Sequence, residues 1–356
     1  MHPKHGRTKN LEKEKVDTKQ TLAKIKPSRR FTIAPMLDWT DRFYRRFARE
    51  ISRHTWLYTE MVTTGALIHG DRERFLKYDP VEHPLALQLG GSDPADLARC
   101  ARMAQDWGYD EVNLNVGCPS ERVQNGSFGA CLMLESDLVA DCVKAMRDAV
   151  DIDVTVKHRI GIDKVEDYAF VRDFVGRIAE AGCETFIVHA RNAILKGLSP
   201  KENRDIPPLK YHYAYQLKQD FPRLEILVNG GITTHEQVAE HLKHVDGVML
   251  GREPYHNPWL LAEVDRRYYG DDHPLRSREQ VMHDLRDFIE AELADGLPLR
   301  LIARHVLGLY QGQPGARQWR RMLSDAKLLK DADFGLIEQA LASVASSRRR
   351  KEEPCD

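Results

Sequence analysis

Between Phe31 and Arg252 the chain returns eight times to a short apolar run, and few architectures use eight of them at this spacing. The runs are Phe31–Met36, Thr55–Val62, Leu85–Gly90, Glu111–Gly117, Val154–Gly161, Thr185–Arg191, Glu225–Gly231 and Gly247–Arg252. Each is strand-length and mostly apolar, the pattern of parallel strands covered on both faces. Helical periodicity separates most of them. Asp93–Trp107, with Ser92 as the expected N-cap, puts Leu97, Cys100, Ala101 and Ala104 on one face. Leu138–Val150 and Tyr168–Ala181 behave alike, and Thr234–Leu242 reads as a short helix behind Thr233. Eight β/α units over about 220 residues predict a (β/α)8 TIM barrel. A doubly wound open sheet is the competitor, but the G-x-G-x-x-G that would follow its first strand is absent.

After the barrel, from Ser277 on, apolar residues at helical spacing (Val281, Leu285, Phe288, Ile289, Leu293) predict a small bundle of about four helices. The expected organisation is a basic, disordered extension over 1–30, a barrel over 31–270, a helical domain over 271–345 and a charged tail over 346–356. The whole chain carries a net charge of −1, so it is not a uniformly basic nucleic-acid binder. Its charge is uneven, however. Residues 300–330 hold seven Lys/Arg against one acid, and Arg317, Arg320 and Arg321 share one helix face. A cationic folded bundle of this kind suits a phosphate backbone. The first 30 residues hold ten Lys/Arg against three acids, with almost no apolar periodicity.

Six cysteines show neither C-x-x-C pairs nor ligand-like spacing with histidines, so no metal site is expected and a reducing cytoplasm is. No apolar run is long enough to cross a membrane, and there is no secretory h-region.

In such a barrel the chemistry lies at the C-terminal ends of the strands. The polar residues expected there are Gln88, Asn113, Asn115, Lys157, Arg159, His189, Arg191, Asn229 and Arg252. A lysine inside "VTVKHRIG" needs an anionic partner, because burying its charge alone is costly. "NGGITT" after the seventh strand and "GR" after the eighth read as a phosphate cradle, with Arg252 supplying a charge-assisted bond. A ligand with a phosphate there and polar edges toward Gln88, Lys157 and His189 fits FMN. Cys118, between Gly117 and Pro119 at the end of the fourth strand, then becomes a candidate proton donor. An ordinary thiol titrates near pH 8.5 and is mostly protonated at neutrality. Cys100, Cys131, Cys142 and Cys183 read as small apolar residues.

Several stretches carry a resemblance: "APMLDWTD" (34–41), "YTEMVTTGA" (58–66), "LALQLGGSDP" (85–94), "DEVNLNVGCPSERVQNGSFGACLM" (110–133), "VKHRIGID" (156–163), "HARNAILKGLSPKENRDIPPL" (189–209), "VNGGI" (228–232) and "DGVMLGREPYHNPWLLAEVD" (246–265). Over roughly Phe31 to Lys330 the chain closely resembles the tRNA-dihydrouridine synthases, within them the synthase A subfamily. The resemblance implies FMN-dependent reduction of uridine C5=C6 in the tRNA D-loop, at positions 20 and 20a, with NADPH as reductant. It implies flavin contacts from Pro35, Met36, Leu37, Gln88, Lys157, His189, Asn229, Gly230, Gly231, Gly251 and Arg252. Cys118 would protonate C5 while hydride reaches C6, and Asn115 would hold the uracil. Lys201, Arg204, Arg317 and Arg320 would touch tRNA. No stable protein partner is expected. One departure is Phe43-Tyr44, where the subfamily pattern has His-Cys. The rival reading is a flavin barrel acting on a free pyrimidine, of the dihydroorotate dehydrogenase type, which has no need of the cationic helices. A non-redox phosphate-binding barrel using Cys118 and Lys157 covalently is a second rival.

Overall fold

A computed structural model of the chain describes residues 27–352 except 122, 124 and 125, with side chains described through 347. Most of the predicted basic extension, Cys355 and the end of the predicted tail therefore lie outside the described residues. All eight expected strands form. They are β1 (Phe31–Ile33), β2 (Leu57–Thr63), β3 (Leu85–Gly90), β4 (Glu111–Val116), β5 (Asp153–Arg159), β6 (Thr185–His189), β7 (Glu225–Asn229) and β8 (Gly247–Leu250). Every pairing is parallel, and the order runs β1-β8-β7-β6-β5-β4-β3-β2. The sheet closes where Trp56, just ahead of β2, pairs with Thr32. There the Ile33 amide donates to the Trp56 carbonyl at 3.0 Å and the Trp56 amide to Phe31 at 3.1 Å. The result is the TIM barrel expected from the rhythm.

Several strands stop two or three residues before the apolar run does, because the last residues turn outward to form the mouth. Two caps sit one residue later than expected. Asp93, not Ser92, caps the helix Pro94–Trp107 and accepts from the Asp96 amide at 2.8 Å. Thr234, not Thr233, caps His235–His241 in a reciprocal box with Gln237. A carboxylate is a strong cap, and Pro94 at the first helical position fixes the start there.

The strands bury two separate sets of side chains. Those facing the helices join the main core. A smaller cluster of Ala34, Trp56, Tyr58, Ala86, Ile187, Leu227 and Met249 fills the barrel's inside. Beneath it lies Arg29, which belongs to the stretch read from sequence as a disordered tail. It is 5% exposed and plugs the floor. Its guanidinium reaches Glu111 (2.8 Å), Asp153 (2.7 Å) and Glu225 (2.9 Å) and lies over the Trp56 ring at 4.1 Å. These partners come from β4, β5 and β7, so one side chain ties together strands far apart in sequence.

The C-terminal region folds into helices Arg278–Asp284, Arg286–Ala294, Arg300–Val306, Ala316–Ser324 and Gly335–Glu352. The last continues through residues expected to be tail. The bundle packs on the barrel helix Arg42–Ile51. Asp41 caps that helix, accepting from the Phe43 and Tyr44 amides, and also accepts from Arg304 at 2.5 Å and from His305 at 3.0 Å. Burial would raise the Asp41 carboxyl, but His305, the Tyr44 amide and Arg304 outweigh it and hold it below the ordinary value. Phe43 and Tyr44, the departure from the subfamily pattern, fill this junction. Phe43 meets Phe288 at 6.3 Å between ring centres, and Tyr44 meets His305 at 6.1 Å.

Arg29→Met should be strongly destabilising, since it leaves Glu111 buried without its cation. Breaking a buried pair from one side costs about 3–5 kcal/mol. Thermal unfolding followed by circular dichroism checks this, and an unchanged midpoint would contradict it.

Candidate active site

The strand register assembles a polar layer above the apolar plug. Gln88 pairs with Asn113, Asn113 with Thr155, Asn115 with Lys157, Arg159 with His189, and His189 with Asn229. All are neighbours at the C-terminal ends of β3 to β7. The amide side chains are chained in one direction. Asn115 Nδ2 donates to Gln88 Oε1 (2.9 Å), Gln88 Nε2 to Asn113 Oδ1 (2.8 Å), and Asn113 Nδ2 to Thr155 Oγ1 (2.8 Å). The Thr155 hydroxyl donates to Glu111 Oε1 (2.5 Å), which also accepts from the Tyr58 hydroxyl (2.9 Å), while Arg29 holds Oε2. Burial pushes the Glu111 carboxyl up, against the pull of Arg29, Thr155 and Tyr58. A carboxylate that only accepts therefore sets which end of each amide faces which neighbour. At the mouth, Asn115 Oδ1 is left to accept from the amides of Gly117 (3.1 Å) and Cys118 (3.0 Å).

Cys118 stands on the loop after β4. The loop returns on itself, with the Ala130 amide donating to the Cys118 carbonyl at 2.9 Å. Gly129 allows this: its φ is +75°, and a Cβ there would meet that carbonyl at 2.6 Å. The thiol is partly exposed and its sulfur lies 3.5 Å from Ser120 Oγ. It lies within electrostatic reach of Lys157, Arg159 and Arg204, which puts sulfur and cations at one mouth. Cys100, Cys142 and Cys183 are buried, as read from sequence, while Cys131 is partly exposed.

Lys157 has no ion-pair partner among the described residues. It keeps some solvent contact, yet burial holds its pKa down to about 7, with Arg159 adding to the shift. Arg191 and Arg204 in turn act on Arg159 and His189. His189 is driven well below an ordinary histidine, first by burial and then by Arg159 and Lys157, so it is a neutral imidazole at physiological pH. Asp205 is the carboxylate among these cations. It pairs with Arg252 at 2.5 Å, a contact the sequence reading did not anticipate. The Arg252 bond holds the Asp205 carboxyl below its usual range.

The glycines form the rest of the rim. Gly230 has φ +118°, and a Cβ there would fall 2.8 Å from the His189 ring. Gly231 has φ +68° and meets Leu209 at 2.8 Å in the same way. Asn229 Nδ2 donates to the Met249 carbonyl at 2.7 Å and so joins β7 to β8. Gly251 lies beside Met36 and Ala34, each about 3.8–3.9 Å from its ideal Cβ, which brings the ends of β1 and β8 together. Of the loop after β1, Pro35 and Met36 are partly buried, while Leu37 is 67% exposed. Lys201 and Arg204 are exposed on the loop after β6. Arg317, Arg320 and Arg321 are exposed on the outer face of Ala316–Ser324, while Ala316, Trp319 and Leu323 bury the inner one.

A half-buried lysine without an ion-pair partner among the described residues, several guanidinium groups and a glycine rim of positive φ suit an anionic ligand. The glycines at the ends of β7 and β8 and the amide edges at β3–β4 are compatible with a flavin. The residues missed by sequence reading are those that hold others: Glu111, Thr155, Asn192, Asn203 and Asp205. Alternation along "EVNLNV" does place Glu111 on one face with Asn113 and Asn115, the one available signal.

Fold and mouth together define a (β/α)8-barrel enzyme built to seat an anionic ligand beside a thiol. Comparison with known proteins sharpens this. The family model described as dihydrouridine synthase (Dus) matches residues 32–346, and the chain belongs to that family. It is 62% identical over 319 residues to the tRNA-dihydrouridine(20/20a) synthase of Pseudomonas aeruginosa, covering 89% of this chain and 96% of that one. It is 59% identical to the protein of the same name from Salmonella typhimurium, covering 92% and 99%. Among solved structures, a 2-naphthoyl-CoA reductase complex aligns with a TM-score of 0.51 at 13% identity, covering 66% of this chain and 49% of that one, a likeness of fold alone.

Lys157→Met tests the electrostatics. A folded pKa near 7, below the ordinary lysine value of 10.5, means that between those values the unfolded chain binds the extra proton. Stability relative to Lys157→Met should therefore rise as pH climbs through 7 toward 10 in the ligand-free protein. A difference independent of pH would contradict the assignment. The same variant should bind FMN more weakly.

Proposed function

We propose that this protein is an FMN-dependent tRNA-dihydrouridine synthase that reduces the C5=C6 bond of uridines 20 and 20a in the D-loop, with NADPH as the reductant. The observation that carries the reading is the meeting of an unpartnered Lys157, the Gly230–Gly231 rim and Cys118 at one barrel mouth, in a chain of the dihydrouridine synthase family.

FMN, when bound and reduced, would supply the hydride for C6 of the uracil ring. The residues of the chain do the rest. Gly230, Gly231, Gly251 and Arg252 would hold the phosphate, with Asn229 and His189 as further contacts. His189, being neutral, offers a hydrogen bond without adding charge. Pro35, Met36 and Leu37 line the side next to β8. Gln88 meets the polar edge of the flavin, held in one orientation by Asn113 and Asn115. Lys157 would put its charge beside the flavin, and an anionic ligand there would in turn favour the protonated lysine. Asn115 holds the target uracil, and the Cys118 thiol gives its proton to C5. Hydride and proton together saturate the double bond.

A base within folded tRNA must leave its stack to reach such a mouth. Lys201 and Arg204 stand at the rim for the neighbouring phosphates. Arg317 and Arg320 extend the contact onto the helical domain, which is anchored through Asp41 to the loop following β1. This surface favours tRNA over a free pyrimidine, for which it would have no use.

Cys118→Ala should retain FMN and tRNA binding and lose most turnover, by a factor of about 10²–10⁴ typical of a lost general acid. Flavin absorbance, tRNA affinity and dihydrouridine yield check this, and full turnover would reject the proton-donor role. Arg317→Ala combined with Arg320→Ala should weaken tRNA binding and flatten its dependence on salt, since each lost phosphate contact lowers the slope by about 0.7–0.9. An unchanged slope would remove the helical domain from the RNA contact.

A further inference from the structure

Arg159 has no carboxylate partner among the described residues, yet it is only 2% exposed. Burial brings its pKa down to about 10, so it stays charged at neutral pH. Its charge is met by three backbone carbonyls. Nε donates to Gly117 O at 3.2 Å, and Nη1 to Asn192 O at 3.2 Å and Asn203 O at 2.8 Å. The first belongs to the loop after β4, the other two to the loop after β6.

The Gly117 carbonyl and the Cys118 amide are two ends of one planar peptide unit. Arg159 holds the carbonyl end, while Asn115 Oδ1 accepts from the amide end at 3.0 Å. That plane cannot turn without breaking one bond or the other, so the Cα of Cys118 is fixed from both sides. On the other loop, Asn203 lies between Lys201 and Arg204 and is fully buried. Its Nδ2 donates to the Ile194 carbonyl at 2.8 Å and its Oδ1 accepts from the Ile194 amide at 2.7 Å. Asn203 is thus the internal frame of the basic loop, and its carbonyl is seated on Arg159.

We infer that Arg159 is a positioning residue that makes the thiol of Cys118 and the basic loop Lys201–Arg204 one mechanical unit, so that RNA held by the loop is delivered in register with the proton donor. The link to RNA rests on the function proposed above; the mechanical unit does not. A guanidinium suits this task because its donors are fixed in one plane and reach two loops at once. The single ammonium of a lysine cannot span both.

The test compares the full-length protein with Arg159→Lys and Arg159→Gln. In ligand-free protein, amide hydrogen exchange should speed up at least tenfold at Cys118 and across 192–204 together, with the strands at the barrel floor unchanged. Faster exchange in one loop alone, or in neither, would overturn the unit. In the FMN-loaded protein, flavin reduction by NADPH should slow less than reoxidation by tRNA does. Reoxidation by tRNA should slow at least tenfold, with weaker tRNA binding. The double variant with Lys201→Ala should lose less than the product of the two single losses. Multiplicative losses, or reoxidation at the wild-type rate, would overturn the link to RNA. If the wild-type protein itself showed no reoxidation by tRNA, the proposed function would fail while the exchange result still judged the unit.

Discussion

A single buried arginine at the barrel floor organises much that happens at the mouth. Arg29 fixes Glu111, and Glu111 accepts from both Thr155 and Tyr58. Because that carboxylate has nothing to donate, the orientation of Thr155 is decided. Asn113, Gln88 and Asn115 follow in turn. The active-site amides are therefore not free to flip toward whichever edge a ligand presents. Preorganised dipoles of this kind cost no rearrangement when the ligand or transition state arrives. The cations above the chain are answered less evenly: Arg159 rests on backbone carbonyls and Arg252 on Asp205, while Lys157 has no ion-pair partner among the described residues. Asp205 pairs with Arg252, and Arg191 and Arg204 add to the pull on its carboxyl. An anionic ligand is the missing half of that balance.

The two layers divide the work. Satisfied hydrogen bonds below give direction, and positive charge above gives affinity. The thiol sits where they meet, its backbone amide tied to Asn115 of the lower layer and its sulfur within electrostatic reach of the upper one. The helical domain joins the same arrangement through Asp41, which caps a barrel helix and binds Arg304 and His305 at once. Exposed arginines on that domain and basic residues on the β6 loop thus belong to one assembly.

Much of this was legible in the sequence. The eight strands announced themselves because both faces of a parallel strand are buried, and apolar runs result. The position of Cys118 and of Gly230–Gly231 at the strand ends was legible because their neighbours, Gly117, Pro119 and Asn229, are local. What sequence did not disclose is long-range. Arg29 looked like the end of a basic tail, since its partners Glu111, Asp153 and Glu225 lie 82, 124 and 196 residues away. The Arg252–Asp205 pair spans 47 residues and has no periodic signature. Arg159 stood out as polar, but its carbonyl partners carry no side-chain signal at all. The misplaced caps at Ser92 and Thr233 are a smaller matter, because adjacent polar residues compete for one position and only backbone geometry chooses. Residues 1–26 lie outside the described part, and their basic character remains a feature of sequence.

The central claim is that this mouth brings reduced flavin, thiol and an extruded uridine together. The most direct measurement is to reduce the FMN-loaded protein without oxygen, remove the reductant, and mix it with tRNA that lacks dihydrouridine. The account predicts that the flavin is reoxidised with one dihydrouridine formed in the D-loop per flavin, and that free uridine gives no comparable rate. Flavin that stays reduced in the presence of tRNA, or is reoxidised as fast by the free nucleoside, would contradict it.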